Sequence, residues 1–238
     1  VTPPQSTLML HGARDLLIGQ RTALINALRG HFAELGIVVA QGARNTRQLI
    51  ALIHDEAIPD LPVTARVALE PLAAMLAEIE AQIARLDKAI LAAHRSDPVS
   101  LRLATIPGIG PIVASCLSAS IPDASLFQGS REFAAYLRLV PRQHSTGGKP
   151  RLGSISKMGN RHLRKLLVVG AHAALYSMKS GKTRTVLADW ARTLLAKKPF
   201  KVVAVALANK MARIAWAVMA RSVIYEPGSH GAAAPTAS

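Results

Sequence analysis

Between positions 69 and 90 the residues Leu69, Leu72, Leu76, Ile79, Ile83, Leu86 and Ile90 recur at alternating spacings of three and four. This is a heptad seam, and a helix that carries one must bury a narrow apolar stripe against another helix. Upstream, residues 5 to 35 read as one long helix. Its Leu10, Leu17, Leu24, Leu28 and Leu35 share a face, interrupted by Arg14, Arg21 and His31. The pattern predicts that the first helix folds back antiparallel on the second. A second chain could supply partner surface too, and an ordinary bundle helix stays open as a reading. Between the two helices "GIVVAQGARN" breaks the chain, "TRQLIALIHDEA" forms a short helix and "IPDLPV" closes the connector.

Past Ser96 the chain reads as a second, compact helical body. Aromatic residues are scarce and Ala and Leu abundant, which favours helix over sheet. In "TIPGIGPIVASCL" the residues Gly108 and Gly110 flank Ile109, and Pro111 suits the first turn of a following helix. This is the pattern of a helix-hairpin-helix, whose exposed N–H groups can hold a phosphate, although a plain helical hairpin has the same spacing. "GSREFAAYLRLV" is a helix expected to turn Phe133, Tyr136 and Leu137 inward. "GNRHLRKLLVVGAHAAL" is another, with Asn160 as its cap, and two more follow at about 184 to 196 and 199 to 224. The expected fold is therefore all-α. A long antiparallel helical hairpin or coiled coil occupies 1–95, a compact helical domain with the helix-hairpin-helix occupies 96–225, and 226–238 is a disordered tail.

Charge divides the chain. Residues 1 to 132 carry 11 Lys+Arg against 12 Asp+Glu, whereas residues 133 to 238 carry 18 against only Asp189 and Glu226. From Phe133 to Ala188 there is no acid. Segregation of this kind points to a polyanionic partner, nucleic acid above all. The single Cys116 excludes an internal disulfide and a cysteine metal cage, and reads as a small buried hydrophobe. No secretory signal is visible at the start. The apolar stretch 166 to 178 is too short to span a bilayer, and 201 to 220 carries Lys210 and Arg213 at its middle. Both read as core helices of a soluble protein with no membrane partner.

The acid-free region contains "HSTGGKPR". Gly147 and Gly148 let the backbone present Ser145 and Thr146 without steric cover. Lys149, Arg151 and Lys157, with Arg142 before them, could neutralise a phosphodiester. Arg161, Arg164 and Lys165 open the next helix at the end where cations oppose the helix dipole, which is better tolerated when an anion sits there. His144 is the nearest base to either hydroxyl, though a structural role or a phosphate contact suits it better. Taken alone, these residues fit a phosphate grip better than nucleophilic attack.

"IPGIGPIVA" followed by "FAAYLRLVPRQHSTGGKPRLGSISKMGNRHLRKLLV" resembles the C-terminal domain of a bacterial insertion-sequence transposase family. These are bridge-RNA-guided, serine-dependent recombinases that pair a RuvC-like DEDD nuclease domain with a helical transposase domain. The resemblance covers roughly residues 5 to 225. It implies DNA and a structured guide RNA as partners, a homodimer or tetramer joined through the coiled coil, and a cytoplasmic, nucleoid-associated location. It also implies a nucleophile between the "PR" and the Gly-Gly. Ungapped matching places that nucleophile on Thr146, with Ser145 one residue before it. The departure from serine matters because the threonine β-methyl restricts χ1 and crowds attack. The family's four metal-binding carboxylates precede the long helix, where this chain starts. The sequence is therefore expected to lack the DEDD domain and its Mg²⁺, to hold no cofactor of its own, and to be inactive alone. The densest acid group, in "HDEAIPD", borders the proline connector and reads as solvated. A non-catalytic helix-hairpin-helix nucleic-acid-binding protein is the competing reading. Ribosomal-type RNA binding accounts for the charge but not for the Ser-Thr-Gly-Gly loop.

Overall fold

The structure is a computed structural model that describes residues 3–40, 42, 45–54, 61–144, 151–156, 158–181 and 185–227. Ser145, Thr146, Gly147, Gly148, Lys149 and Lys157 lie outside the described residues, as do most of "HDEAIPD" and all but the first two residues of the predicted tail. The chain divides into two compact units, one of residues 9–89 and one of residues 1–8 with 90–238.

The first unit contains most of α1 (Pro3–Glu34), all of α2 (Thr46–His54) and most of α3 (Val63–Ser96). Leu28 and Phe32 of α1 pack with Leu69, Ala73 and Leu76 of α3, while Arg14 Nε donates to Asp87 Oδ1 at 2.5 Å. Only an antiparallel pair brings a late α1 residue to early α3 and an early α1 residue to late α3. The helical hairpin expected from the two leucine stripes is therefore present. Leu69, Leu76, Ile79, Ile83 and Ile90 of the seam are buried, and Leu72 and Leu86 partly so. Each fully buried Leu or Phe contributes roughly 1.5–3 kcal/mol of apolar transfer.

The end of α1 is set by Gly36, whose φ of 77° lets Ile37 N bond Phe32 O at 2.8 Å and Gly36 N bond Ala33 O at 3.0 Å. Val39, Ile53 of α2 and Leu61 then close the end of the hairpin over Phe32. Pro71 lies inside α3 on its exposed side, where the helix continues at the cost of one backbone bond.

The second unit comprises α4 (Pro98–Leu103), α5 (Pro111–Ser120), a 3₁₀ turn at Ala124–Leu126, α6 (Ser130–Tyr136), β1 (Pro141–Gln143), β2 (Leu152–Ile155), α7 (Arg161–Lys179), α8 (Val186–Leu195) and α9 (Phe200–Arg221). Side-chain caps start four of these elements. Asp97 accepts from Val99 N, Asp123 from Ser125 N, Asn160 from Leu163 N and Thr185 from Ala188 N. Helix α9 is the axis of the unit, packed by α4, α6, α7 and α8 and by the 3₁₀ turn, whose Ala124 carbonyl accepts from Trp216 Nε1 at 3.1 Å. Among the described residues α9 alone is long and apolar enough to cross a membrane. Its Val203, Ala204, Leu207, Ala208, Met211 and Ala215 are buried against those neighbours, which is the behaviour of a core helix.

Two features depart from the expected fold. The chain between α6 and α7 is not plain loop but an antiparallel β-hairpin, pairing Pro141 with Ile155 and Gln143 with Leu152 across an irregular register. Tyr136, expected inside, is 49% exposed, while Phe133 and Leu137 are fully buried. Phe127 links the two rings, edge-on to Phe133 with centroids 5.1 Å apart and 5.2 Å from Tyr136.

Candidate nucleic-acid interface

An isolated two-stranded hairpin is marginal in water, so β1–β2 depends on its roots in the helical body. The entry is held at Leu139, which is buried and whose carbonyl accepts from Asn209 Nδ2 of α9 at 3.2 Å. The exit is held at Met158. Its N–H donates to Ser156 Oγ at 3.2 Å, and its carbonyl accepts from Arg164 Nη1 at 2.6 Å. At the top of the described strands His144 N donates to Arg151 O at 2.8 Å, so the two residues flanking Ser145–Pro150 in sequence face each other. Arg142, His144 and Arg151 are all exposed.

Gly153 gives the His144 ring its place. A Cβ at residue 153 would stand 3.1 Å from His144 Cδ2 and 3.3 Å from Nε2, so the imidazole lies across the opposite strand close against the glycine and would have to shift for any larger residue. Sequence reasoning passed over this glycine, because its role is a cross-strand contact rather than a turn.

The hairpin exit meets the start of α7. Asn160 caps that helix as expected, its Oδ1 accepting from Leu163 N at 2.9 Å. Arg161 and Lys165 are exposed beyond it. Arg164 is different, being only 7% exposed and turned back to the Met158 carbonyl. It fixes the hairpin exit, so its burial removes it from the exposed basic set. Arg138, not singled out from sequence, belongs near that set. It follows α6 with φ at 56°, a left-handed conformation that costs a non-glycine residue roughly 1–2 kcal/mol. That conformation lets Leu139 N reach Ala134 O at 3.1 Å and Arg138 N reach Ala135 O at 2.9 Å. Its side chain rests against Gly159, next to the cap of α7.

The two glycines of the α4–α5 turn separate in role. Gly108 has φ at 88°, and a Cβ there would meet Gly170 O and Met211 Cε at 2.9 Å each. The turn thus lies against α7 and α9 by backbone contact, with Gly170 making the reciprocal approach to Gly108 O. Gly110, the N-cap of α5, is exposed and has open space around it. Gly108 is thus a packing residue, and Gly110 is not.

Among the described residues no three carboxylates come together in a group able to hold a metal.

The second unit is thus a basic, acid-poor helical body with a rooted hairpin. Residues 100–198, which include the glycine turn, the hairpin and α7, match the transposase family IS116/IS110/IS902, and the chain belongs to that family. It is 45% identical over 221 residues to the transposase y4pF/y4sB of Sinorhizobium fredii, covering 93% of this chain and 56% of that protein. It is 44% identical over 225 residues to a family 20 transposase of Pseudomonas aeruginosa, covering 94% and 66%. A pilin gene-inverting protein of Moraxella bovis is 30% identical over 129 residues, covering 54% and 39%. The chain thus spans between about half and two thirds of the length of the first two relatives.

Proposed function

We propose that this chain is the nucleic-acid-gripping, hydroxyl-bearing part of an insertion-sequence transposase. It binds DNA and a structured guide RNA through the basic second unit and assembles through the helical hairpin. The observation that carries the reading is the rooted β-hairpin: Asn209, Ser156 and Arg164 anchor its two ends, and His144 and Arg151 bracket the segment containing Ser145 and Thr146. The family resemblance raises that segment from a phosphate grip to a nucleophile. Thr146 is the favoured residue and Ser145 the alternative. In the step itself an Oγ–P bond forms while the phosphodiester P–O bond breaks. The hydroxyl proton goes to a base and the departing deoxyribose oxygen takes one up. Arg142, Lys149, Arg151 and Lys157 stabilise the charge on phosphorus, and His144, held over Gly153, contacts phosphate. Gly110 offers a further backbone phosphate contact.

By the family resemblance, metal-assisted presentation of the phosphate falls to a DEDD domain. With a family DEDD domain joined before Val1, a covalent protein–DNA adduct is expected at Thr146. Thr146→Ser should raise its yield several-fold by relieving β-branch crowding. Thr146→Ala should abolish it while DNA binding persists. Peptide mapping of the adduct by mass spectrometry decides: an adduct that survives loss of both hydroxyls contradicts the proposal. A chain that grips DNA but forms no adduct in the fusion is the helix-hairpin-helix binding protein of the competing reading.

A further inference from the structure

The outward face of α7 carries a feature that neither the hairpin nor the glycine turn uses. Arg161, Lys165, His172, Tyr176 and Lys179 follow one another at steps of four, seven, four and three, which places all five within about 60° of the helix circumference. Leu163, Leu167, Ala171, Ala174, Leu175 and Met178 take the buried face. The stripe runs about 27 Å along the helix. Near its far end Phe200, the first residue of α9, brings three rings together. Its ring is parallel to His172 within 2°, with centroids 5.5 Å apart, and lies 5.0 Å from Tyr176 at 43°. His172 and Phe200 are half-buried and Phe200 packs on the core, whereas Tyr176 is 69% exposed and presents the cluster to solvent.

A basic track with an aromatic platform in it is the arrangement that binds single strands. The cations follow the backbone, and an unpaired base stacks on the ring face irrespective of its identity. Duplex, whose bases are stacked inside, can use only the charges. Strand exchange exposes unpaired nucleotides, and DNA is the polymer that a transposase rearranges. We infer that the α7 face is a binding track for unpaired DNA, with Tyr176 and His172, backed by Phe200, as its base-stacking platform. The inference rests on the nucleic-acid-binding reading above, and it adds a preference which that reading does not contain.

The test uses the whole chain with labelled oligo(dT) of about 16 nucleotides, oligo(U) of the same length and a duplex of the same length. Tyr176→Ala is expected to weaken oligo(dT) about ten-fold, the effect of one lost base–aromatic stack, and to leave duplex binding within two-fold. Tyr176→Phe, which keeps the ring, should restore the wild-type value. Lys179→Ala should weaken both DNA ligands and flatten the salt dependence of both. Circular dichroism of each variant checks that the helices persist, as the exposure of Tyr176 leads one to expect. Duplex binding with an equal loss, or no loss, on oligo(dT) and duplex in Tyr176→Ala overturns this inference alone. A Tyr176-dependent preference for oligo(U) over oligo(dT) overturns its assignment to DNA. A wild-type chain that binds none of the three overturns the functional reading with it.

Discussion

The helical hairpin of residues 9–89 and the body that follows handle charge in opposite ways. On the hairpin, charged and polar side chains are matched locally. Arg14 pairs with Asp87, His31 lies 3.5 Å from Glu34, and Gln82 links Glu78 to Arg85. In the body from Phe133 onward, carboxylates are almost absent. Several of its cations are matched to other groups: Arg164 bonds a carbonyl, Arg192 takes Asp189 and the Met178 carbonyl, and Lys210 sits 4.4 Å over the Trp190 ring. Burial, with Arg213 alongside, pushes the Lys210 ammonium below its ordinary pKa. The exposed cations, Arg138, Arg142 and Arg161 among them, stand where the chain supplies no acid within its own segment. Local pairing of exposed charges contributes at most about 1 kcal/mol per pair, so the hairpin gains solubility more than stability from it. The body instead keeps a field that an external polyanion can neutralise.

The sharpest way to break this contrast is at the glycine turn, where the sequence pattern assigns Gly108 and Gly110 alike to phosphate contact and the structure gives them different surroundings. Gly108→Ala combines a left-handed φ with a Cβ against backbone, and should lower unfolding stability by about 2–4 kcal/mol. Gly110→Ala, in open space, should cost no more than about 1 kcal/mol. Denaturant melts of the two variants measure the difference. A much larger loss in Gly108→Ala leaves Gly110 alone as the clean probe of phosphate contact, whereas similar losses would show that Gly108 is not the packing residue the structure makes it.

A smaller and opposite effect is expected at Arg138. Glycine removes its left-handed strain but adds chain entropy to the unfolded state, so Arg138→Gly should leave stability unchanged or raise it by up to about 1 kcal/mol. If the arginine contacts phosphate, DNA affinity should nevertheless fall. Calorimetric melting beside a binding titration reads both.

The smallest effect separates a buried histidine from an exposed one. His94 is buried with Nδ1 2.7 Å from Ser100 Oγ, and burial lowers its pKa below the ordinary 6.5. The unfolded chain therefore binds the proton more readily. Stability contributed by neutral His94 should be complete above about pH 6.5 and lost as pH falls through the lower folded value. His94→Gln should flatten that part of the stability–pH curve, whereas His144→Gln should leave it in place.

Legibility followed the range of the interactions. The heptad seam, the α1 stripe and the Asn160 cap are local patterns, and each is where the sequence puts it. The hairpin was missed because "PRQ" and "LGSI" are short, contain Pro and Gly, and lack the alternation that marks a half-buried strand. Its entry is held by Asn209, 70 residues beyond Leu139, and its exit by Arg164 turning back on Met158, a bond that no periodicity marks. Distance in sequence hid the contact of Gly108 with Gly170, while the His144 ring beside Gly153 and the burial of Arg164 depend on the hairpin pairing itself. Charge counting recognised a basic region but could not tell a cation bonded to a carbonyl from one facing solvent.

The central claim, that the basic body grips nucleic acid through its exposed arginines, is tested most directly by the salt dependence of duplex binding. The wild-type chain and an Arg138→Gln, Arg142→Gln, Arg161→Gln triple variant would be titrated across the same range of ionic strength. The wild type should lose affinity steeply on a log–log plot, by roughly 0.9 in slope for each phosphate neutralised, and the variant should be shallower by two to three such units, about 1.8 to 2.7. A flat wild-type dependence, or a variant with the wild-type slope, would contradict the account.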